Sequence, residues 1–218
     1  AGFYYDYTNK QILGDIFDPV FGPLTQLINI PKSHVVGFEV SGAWSPIRGL
    51  TISPSVSYQG SRVDKSSQNT CIAAAGGPGF KCISGDFYNF DAFGEYANLT
   101  GEKFPDSPPW QATIDAEYDW QIPGNMTASV GVNANYTDST ESFFVNPAPG
   151  PGDVPLSIPS HILVDLRAGV SRGNWSLQFW GRNVTNAYYW TNAFRDGDSL
   201  LRYTGMPTTY GVTFHYRY

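Results

Sequence analysis

The chain has 218 residues, with 16% aromatic content, 23 glycines, 16 prolines, only 15% charged side chains and a formal net charge of −6. No run of about 18 apolar residues exists, which excludes a transmembrane helix. The acidic balance leaves no basic patch to neutralise phosphates, so no nucleic acid is expected as a partner.

What remains is β-structure, because apolar residues recur at every second position. Ala1-Gly2-Phe3-Tyr4-Tyr5 enters such a pattern directly, without a basic and apolar leader, so the expectation is a processed chain or a piece of a longer one. A first strand is predicted over residues 3 to about 11, with Phe3, Tyr5 and Tyr7 on one face, and a loop containing Pro19, Gly22, Pro23 and Pro31 after it. Residues 36–44 form a second strand, with Val36, Phe38, Val40 and Trp44 outward and Glu39 and Ser41 opposite. Pro46 and Gly49 mark a tight turn. A third strand runs over 50 to about 61, weakened by Pro54 on its apolar face. The longest connection, 62–109, follows.

Residues 110–121 give the sharpest pattern. Trp110, Ala112, Ile114, Ala116, Tyr118 and Trp120 alternate with Gln111, Thr113, Asp115, Glu117, Asp119 and Gln121. Tryptophan at both ends of an apolar face suits a strand crossing a bilayer, because aromatic rings favour the two membrane–water interfaces. The length fits the roughly 9–11 tilted residues such a strand needs. After Pro123-Gly124-Asn125 a fifth strand spans 126–136, and a Pro/Gly-rich loop runs from about 137 to 159. A sixth strand (162–170), a turn at Arg172-Gly173-Asn174, a seventh opened by Trp175, Leu177 and Phe179, a loop over about 183–207 and an eighth strand (210–218) complete the chain. Long connections follow the odd strands and short turns follow the even ones. That parity is the signature of an antiparallel up-and-down transmembrane β-barrel, with outer-membrane lipid as its surroundings.

On this reading Glu39, Asp115, Glu117, Asp119, Asp165, Arg167, Arg182 and Arg217 line a wet interior, since charges facing lipid are costly. Catalysis is not expected. Gly169-Val170-Ser171-Arg172-Gly173 matches G-x-S-x-G, but a nucleophile elbow needs strand, turn and helix, and here another alternating strand follows. Asp115, Glu117 and Asp119 are explained as wall residues before they are read as paired carboxylates. His34, His161 and His215 match no metal-ligand spacing, and no cofactor is implied. Cys71 and Cys82 close a short loop and are expected to form a disulfide in an oxidising compartment. Two loop clusters are candidates for small-molecule capture: Phe87, Tyr88, Phe90, Phe93 and Tyr96, and then Tyr188, Tyr189, Trp190 and Phe194 beside Arg195 and Arg202. Exposed aromatics next to cations suit a sugar, an aromatic chelate or an anionic complex; loop–loop packing is the competing explanation.

The segment Arg182-Asn183-Val184-Thr185-Asn186-Ala187-Tyr188-Tyr189 and the closing strand Tyr210, Val212, Phe214, Tyr216, Tyr218 resemble the C-terminal end of TonB-dependent receptors. Phe3-Tyr4-Tyr5-Asp6-Tyr7-Thr8-Asn9-Lys10-Gln11 and Pro46-Ile47-Arg48-Gly49-Leu50 fit as well. The terminal aromatic is Tyr218 where the family more often has Phe. The resemblance implies that residues 1–218 are the C-terminal part of a presumed 22-stranded barrel, about eight strands, without the plug domain, the energy-coupling box and the N-terminal strands. It implies ligand-gated import of a scarce solute (siderophore-iron, cobalamin or saccharide) across a Gram-negative outer membrane, driven through the TonB complex. It also implies that Tyr210 through Tyr218 are read by the barrel assembly machinery. Two other architectures stay open: a self-closed eight-stranded outer-membrane barrel, which requires the first strand to pair with the last, and a secreted β-sandwich that binds or cleaves carbohydrate, which requires the apolar faces to pack together.

Overall fold

The computed structural model describes residues 1–18, 22–65, 100–142, 156–196 and 199–218, and for 12–18, 22–29, 194–196 and 199 the backbone only. Among these residues there is no helix. In chain order the strands are β1 (Gly2–Asp18), β2 (Gly22–Ser41), β3 (Leu50–Lys65), β4 (Trp110–Ile122), β5 (Met126–Thr137), β6 (Thr140–Glu141), β7 (Ser157–Ile158), β8 (His161–Arg172), β9 (Trp175–Arg182), β10 (Trp190–Asp196), β11 (Ser199–Thr204) and β12 (Thr209–Tyr216). Eight of them make one antiparallel sheet in the order β1-β2-β3-β4-β5-β8-β9-β12. The hairpins β6–β7 and β10–β11 stand apart from it, at the end carrying the long connections.

β1 and β12 are the two edges and do not pair with each other. A self-closed eight-stranded barrel is therefore overturned. The β-sandwich reading fails too, because among the described residues no second layer covers the apolar face. Val36, Val40, Ile114, Val130, Val132, Ile162, Leu166 and Phe179 all lie on it and are all exposed. An uninterrupted apolar surface of this kind has lipid as its solvent.

The register shows how the sequence period becomes this surface. Trp110 pairs with Tyr58, and Tyr58 with Phe38. The three rings touch, with centroids 4.8 Å apart for Tyr58–Trp110, 5.8 Å for Phe38–Trp110 and 5.9 Å for Phe38–Tyr58. Near the short turns, Tyr118 stacks on Trp120 at 5.5 Å, with Trp44 and Tyr216 exposed on the same face. Trp110 and Trp120 lie about 34 Å apart along β4. At a tilt of about 45° that is about 24 Å of height, close to the apolar band of an outer-membrane barrel. These are the two aromatic belts. Ala116 and Val132, paired in register, lie midway. Val132→Arg should accordingly destabilise the wall by about 2–4 kcal/mol. Ser55→Lys, on the opposite face of β3, should stay within about 0.5 kcal/mol. Denaturant unfolding of the detergent-solubilised receptor checks both, and equal costs would show that the two faces are not differently solvated.

Three expectations about connections are corrected. The loop expected around Pro19, Gly22, Pro23 and Pro31 is mostly strand, because β1 runs on to Asp18 and β2 begins at Gly22. The ladder skips one pair, Asn9 opposite Pro31. Pro31 has no N–H to offer, and Asn9 takes a left-handed φ of 53° there. The ribbon continues beyond the gap. The two Pro/Gly-bearing loops after β5 and β9 contain the short strands β6–β7 and β10–β11, whose runs are too brief to show a period. β3 extends to Lys65 and passes through Pro54, whose missing donor falls opposite Gly42, just past the end of β2.

Candidate functional site

The polar face of the sheet is a built wall. Arg167 on β8, Gly131 on β5 and Glu117 on β4 stand directly in register. The Arg167 side chain lies across Gly131: a Cβ added there would sit 2.6 Å from the guanidinium carbon. Only an absent side chain lets the guanidinium cross the intervening strand. It donates through Nη1 and Nη2 to the two Asp115 oxygens, each at 2.8 Å, and through Nε to Glu117 Oε2 at 2.6 Å. Asn133 Nδ2 donates to Asp115 Oδ2 at 3.1 Å, Asn135 to Asn133, and Thr113 Oγ1 to Asn135 Oδ1 at 2.8 Å. The bidentate fork is the strong form of this pair. Asp115 and Glu117 are thus committed to one cation and are not a free acid–base pair. Ser171 sits on a strand–turn–strand, in register between Thr127 and Ser176, neither of which is a base.

A second construction joins β8, β9 and β12 at the long-connection end. Asn183 is buried and has φ of 48°; Asn186 has φ of 50°. Asn183 Nδ2 donates to Ala187 O at 2.9 Å and Met206 O at 3.1 Å, while Asn183 Oδ1 accepts from Ala187 N at 2.8 Å. Asp165 Oδ1 accepts from Asn183 N at 2.8 Å, and Thr208 Oγ1 donates to Asn183 O at 2.6 Å. Asparagine tolerates left-handed backbone and carries both a donor and an acceptor, so it can close this turn on itself. The Asn-Val-Thr-Asn motif noted in the sequence is this knot.

Beyond it lies the loop-end cluster. Arg202 on β11 stacks over the Trp190 ring of β10, its guanidinium carbon 3.9 Å from the ring centroid. His161 stacks on Tyr189 at 4.7 Å, and Tyr188 is 77% exposed. The β10–β11 hairpin is fastened to β6–β7 through Ala193 N donating to Ser142 Oγ at 3.1 Å. Of the capture residues expected from sequence, Trp190 and Arg202 are brought together. Arg195 is placed on β10 by its backbone alone. Phe87, Tyr88, Phe90, Phe93 and Tyr96, and the pair Cys71 and Cys82, lie outside the described residues. Tyr210, Val212, Phe214 and Tyr216 all point to the apolar face from the edge strand β12. Phe3, Tyr5 and Tyr7, expected together on one face of the first strand, form an aromatic run on the polar face, with Phe3 and Tyr5 5.7 Å apart and Tyr5 and Tyr7 6.4 Å. Sequence reasoning missed how it ends, at Lys10 over Tyr7 at 4.5 Å and over Phe104 at 4.6 Å. A depression of about 710 Å³ is bordered by Val130, Leu166, Phe179 and Tyr210 on the outer face and belongs to the lipid side.

The cleft under the loops, about 240 Å³, is lined by Glu102, Lys103, Phe104, Ser107, Thr140 and Glu141. Asp106 N donates to Glu141 O at 2.8 Å beside it. Burial pushes the carboxyl groups of Asp106 and Glu141 above their ordinary values. Raised folded-state values favour the protonated form, so their stabilising effect is complete below pH 4 or so and fades as pH rises through the raised values. Amide protection at Asp106 and Ser142, corrected for intrinsic exchange, should be higher at pH 4.5 than at pH 8. Equal protection would show both carboxylates to be solvated.

A sheet with a lipid-facing apolar side between two aromatic belts, a charged wet side, short turns at one end and long connections at the other is a wall segment of an outer-membrane β-barrel. The chain belongs to the TonB dependent receptor-like β-barrel family, whose model matches residues 1–184. It is therefore a Gram-negative outer-membrane protein of a receptor family and not an enzyme. No curated protein sequence matches it significantly. Among solved structures it is similar to the siderophore receptor PiuA from Acinetobacter baumannii (TM-score 0.61, 20% identity, 98% of this chain and 24% of that one). It is also similar to the ferric-catecholate import receptor Fiu from K12 E. coli (TM-score 0.59, 17% identity, 99% and 24%). A third is BauA, the ferric preacinetobactin receptor from Acinetobacter baumannii (TM-score 0.56, 18% identity, 98% and 26%). The chain spans about a quarter of the length of these structures.

Proposed function

We propose that this chain is the C-terminal portion of the β-barrel of a TonB-dependent receptor that imports a ferric siderophore, with the plug domain and the other strands supplied by the rest of the receptor. The observation that carries the reading is the open, two-faced eight-stranded sheet, whose edges β1 and β12 call for further strands and whose polar face calls for contents. The solved structures to which it is similar carry siderophore-receptor names, which favours ferric siderophore over cobalamin or saccharide. The wall contributes Asp115, Glu117 and Arg167 to the interior. The loop cluster offers Trp190, Arg202 and Tyr188, a flat aromatic beside a cation, which suits an anionic aromatic chelate. Tyr88, Phe90, Phe93, Tyr96 and Arg195 are assigned to the same capture surface, Tyr210 to Tyr218 to recognition by the assembly machinery, and Cys71 and Cys82 to a disulfide. Coupling to the TonB complex belongs to the N-terminal region of the receptor.

The test uses the full-length receptor in an iron-starved host lacking other siderophore receptors. Uptake of radiolabelled ferric tris-catecholate should depend on the receptor and on the TonB complex. The Trp190→Ala, Arg202→Ala double variant should weaken binding of that chelate by about tenfold or more. Uptake of cobalamin or a saccharide in its place would refute the siderophore assignment.

A further inference from the structure

Just beyond the upper aromatic belt the outward face of the sheet changes character. Moving along β1, β2 and β3 from the Phe38–Tyr58 pair, the next outward row is Tyr4, Val36 and Gly60, and the one after is Asp6, His34 and Arg62. Then comes Thr8 beside Lys32, and a bulge in β3 places both Asp64 and Lys65 opposite Lys32. Within two rows an apolar surface facing hydrocarbon has become a charged one.

The charges are not matched to each other. Asp64 is taken by His34, Nδ1 to Oδ1 at 2.7 Å, and Asp6 accepts from the Tyr4 hydroxyl at 2.9 Å. Tyr4 in turn stacks on His34, with ring centroids 5.7 Å apart. Both acids are thus engaged by an imidazole and a phenol. Lys32, Arg62 and Lys65 are exposed, and among the described residues none of them makes an ion pair. Lys32 and Lys65 are direct partners across the ladder, and with Arg62 they make three cations beside the two carboxylates Asp6 and Asp64, each of which is turned to another partner.

We infer that Lys32, Arg62 and Lys65 form a docking surface for the phosphate groups of an outer-leaflet lipid, seated with its acyl chains on Val36, Phe38 and Tyr58. The three cations stand on the face that meets lipid, at the long-connection end and directly above the belt, where headgroup phosphates lie. A soluble anion could reach the cations but would leave the adjoining apolar row uncovered. A lipid satisfies both. Clustered Lys and Arg beside a membrane-spanning element bind anionic headgroups in this manner, each cation contributing roughly fivefold in affinity.

The experiment compares the full-length receptor with its Lys32→Gln, Arg62→Gln, Lys65→Gln triple variant, both purified from outer membranes in mild detergent. Native mass spectrometry counts retained phosphorylated glycolipid. The receptor is also titrated with nanodiscs containing bisphosphorylated lipid A or its enzymatically dephosphorylated form. The wild type should retain the phosphorylated lipid and prefer it to the dephosphorylated one, and the triple variant should lose at least about tenfold in retention and all of the preference. Lys32→Arg with Lys65→Arg should keep both. Arg172→Gln, an exposed cation at the short-turn end of the same face, should change neither. Should the triple variant fail to assemble, Arg62→Gln alone should still lower the preference severalfold. Equal retention by wild type and variant, or equal binding of the two lipids by the wild type, would overturn the inference.

Discussion

Asn183→Ala should lower the stability of the receptor's barrel by about 3 kcal/mol. Roughly 1 kcal/mol comes from holding an alanine in left-handed backbone, where its Cβ crowds the following carbonyl. The remainder comes from the side-chain bonds to Ala187 and Met206, which tie the end of β9 to the start of β12. Two companions separate the causes. Asn183→Gly relieves the backbone cost and should lose about 2 kcal/mol. Asn183→Asp keeps the acceptor for Ala187 N but turns a carboxylate toward two carbonyls, and should be as harmful as alanine or worse. Equilibrium unfolding in detergent gives all three values. If Gly and Ala were equally harmful, the left-handed φ of 48° would have no energetic weight.

Arg167→Ala should cost about 1–3 kcal/mol, since it leaves Asp115 and Glu117 facing each other without their cation, in a site still partly open to water. Gly131→Val should cost a similar amount for a different reason, because the new side chain occupies the path of the guanidinium. The two changes damage one interaction, so their effects should not add. With Arg167 already replaced by alanine, Gly131→Val should be nearly neutral or favourable, valine being the better strand residue. Additive costs in that double-mutant cycle would show that Gly131 serves something other than passage of the arginine.

The faces of the wall were legible in the sequence because a strand's two sides are written in alternate letters. Trp110 to Gln121 states lipid and lumen residue by residue, and the observed register repeats it through Tyr58, Val132 and Leu166. The long connections after β3, β5 and β9 were legible from their length and their Pro and Gly content, but the expected parity breaks at β1. The long β1–β2 ribbon was not, since Pro23 and Pro31 argue locally for a loop, and the ladder survives by skipping a single pair. The role of Asn183 was legible as a motif and not as a mechanism. Its partner Met206 is 23 residues away, and no local period encodes such a bond. The Asp115–Arg167 clamp was half legible: both residues were assigned to the wet face, but a glycine as the gap through which one reaches the other is visible only once three strands are aligned. Trp190 with Arg202 was seen as a composition and became a geometry when β10 folded back on β11.

The edge position of β12 has a consequence for isotope exchange. Along an antiparallel strand with a single neighbour, every other amide points away from that neighbour. Deuterium uptake over Tyr210 to Tyr216 in the intact receptor therefore reports on the far side of the strand. Alternating fast and slow sites would mean a bare margin there, and uniform slowness a sealed seam.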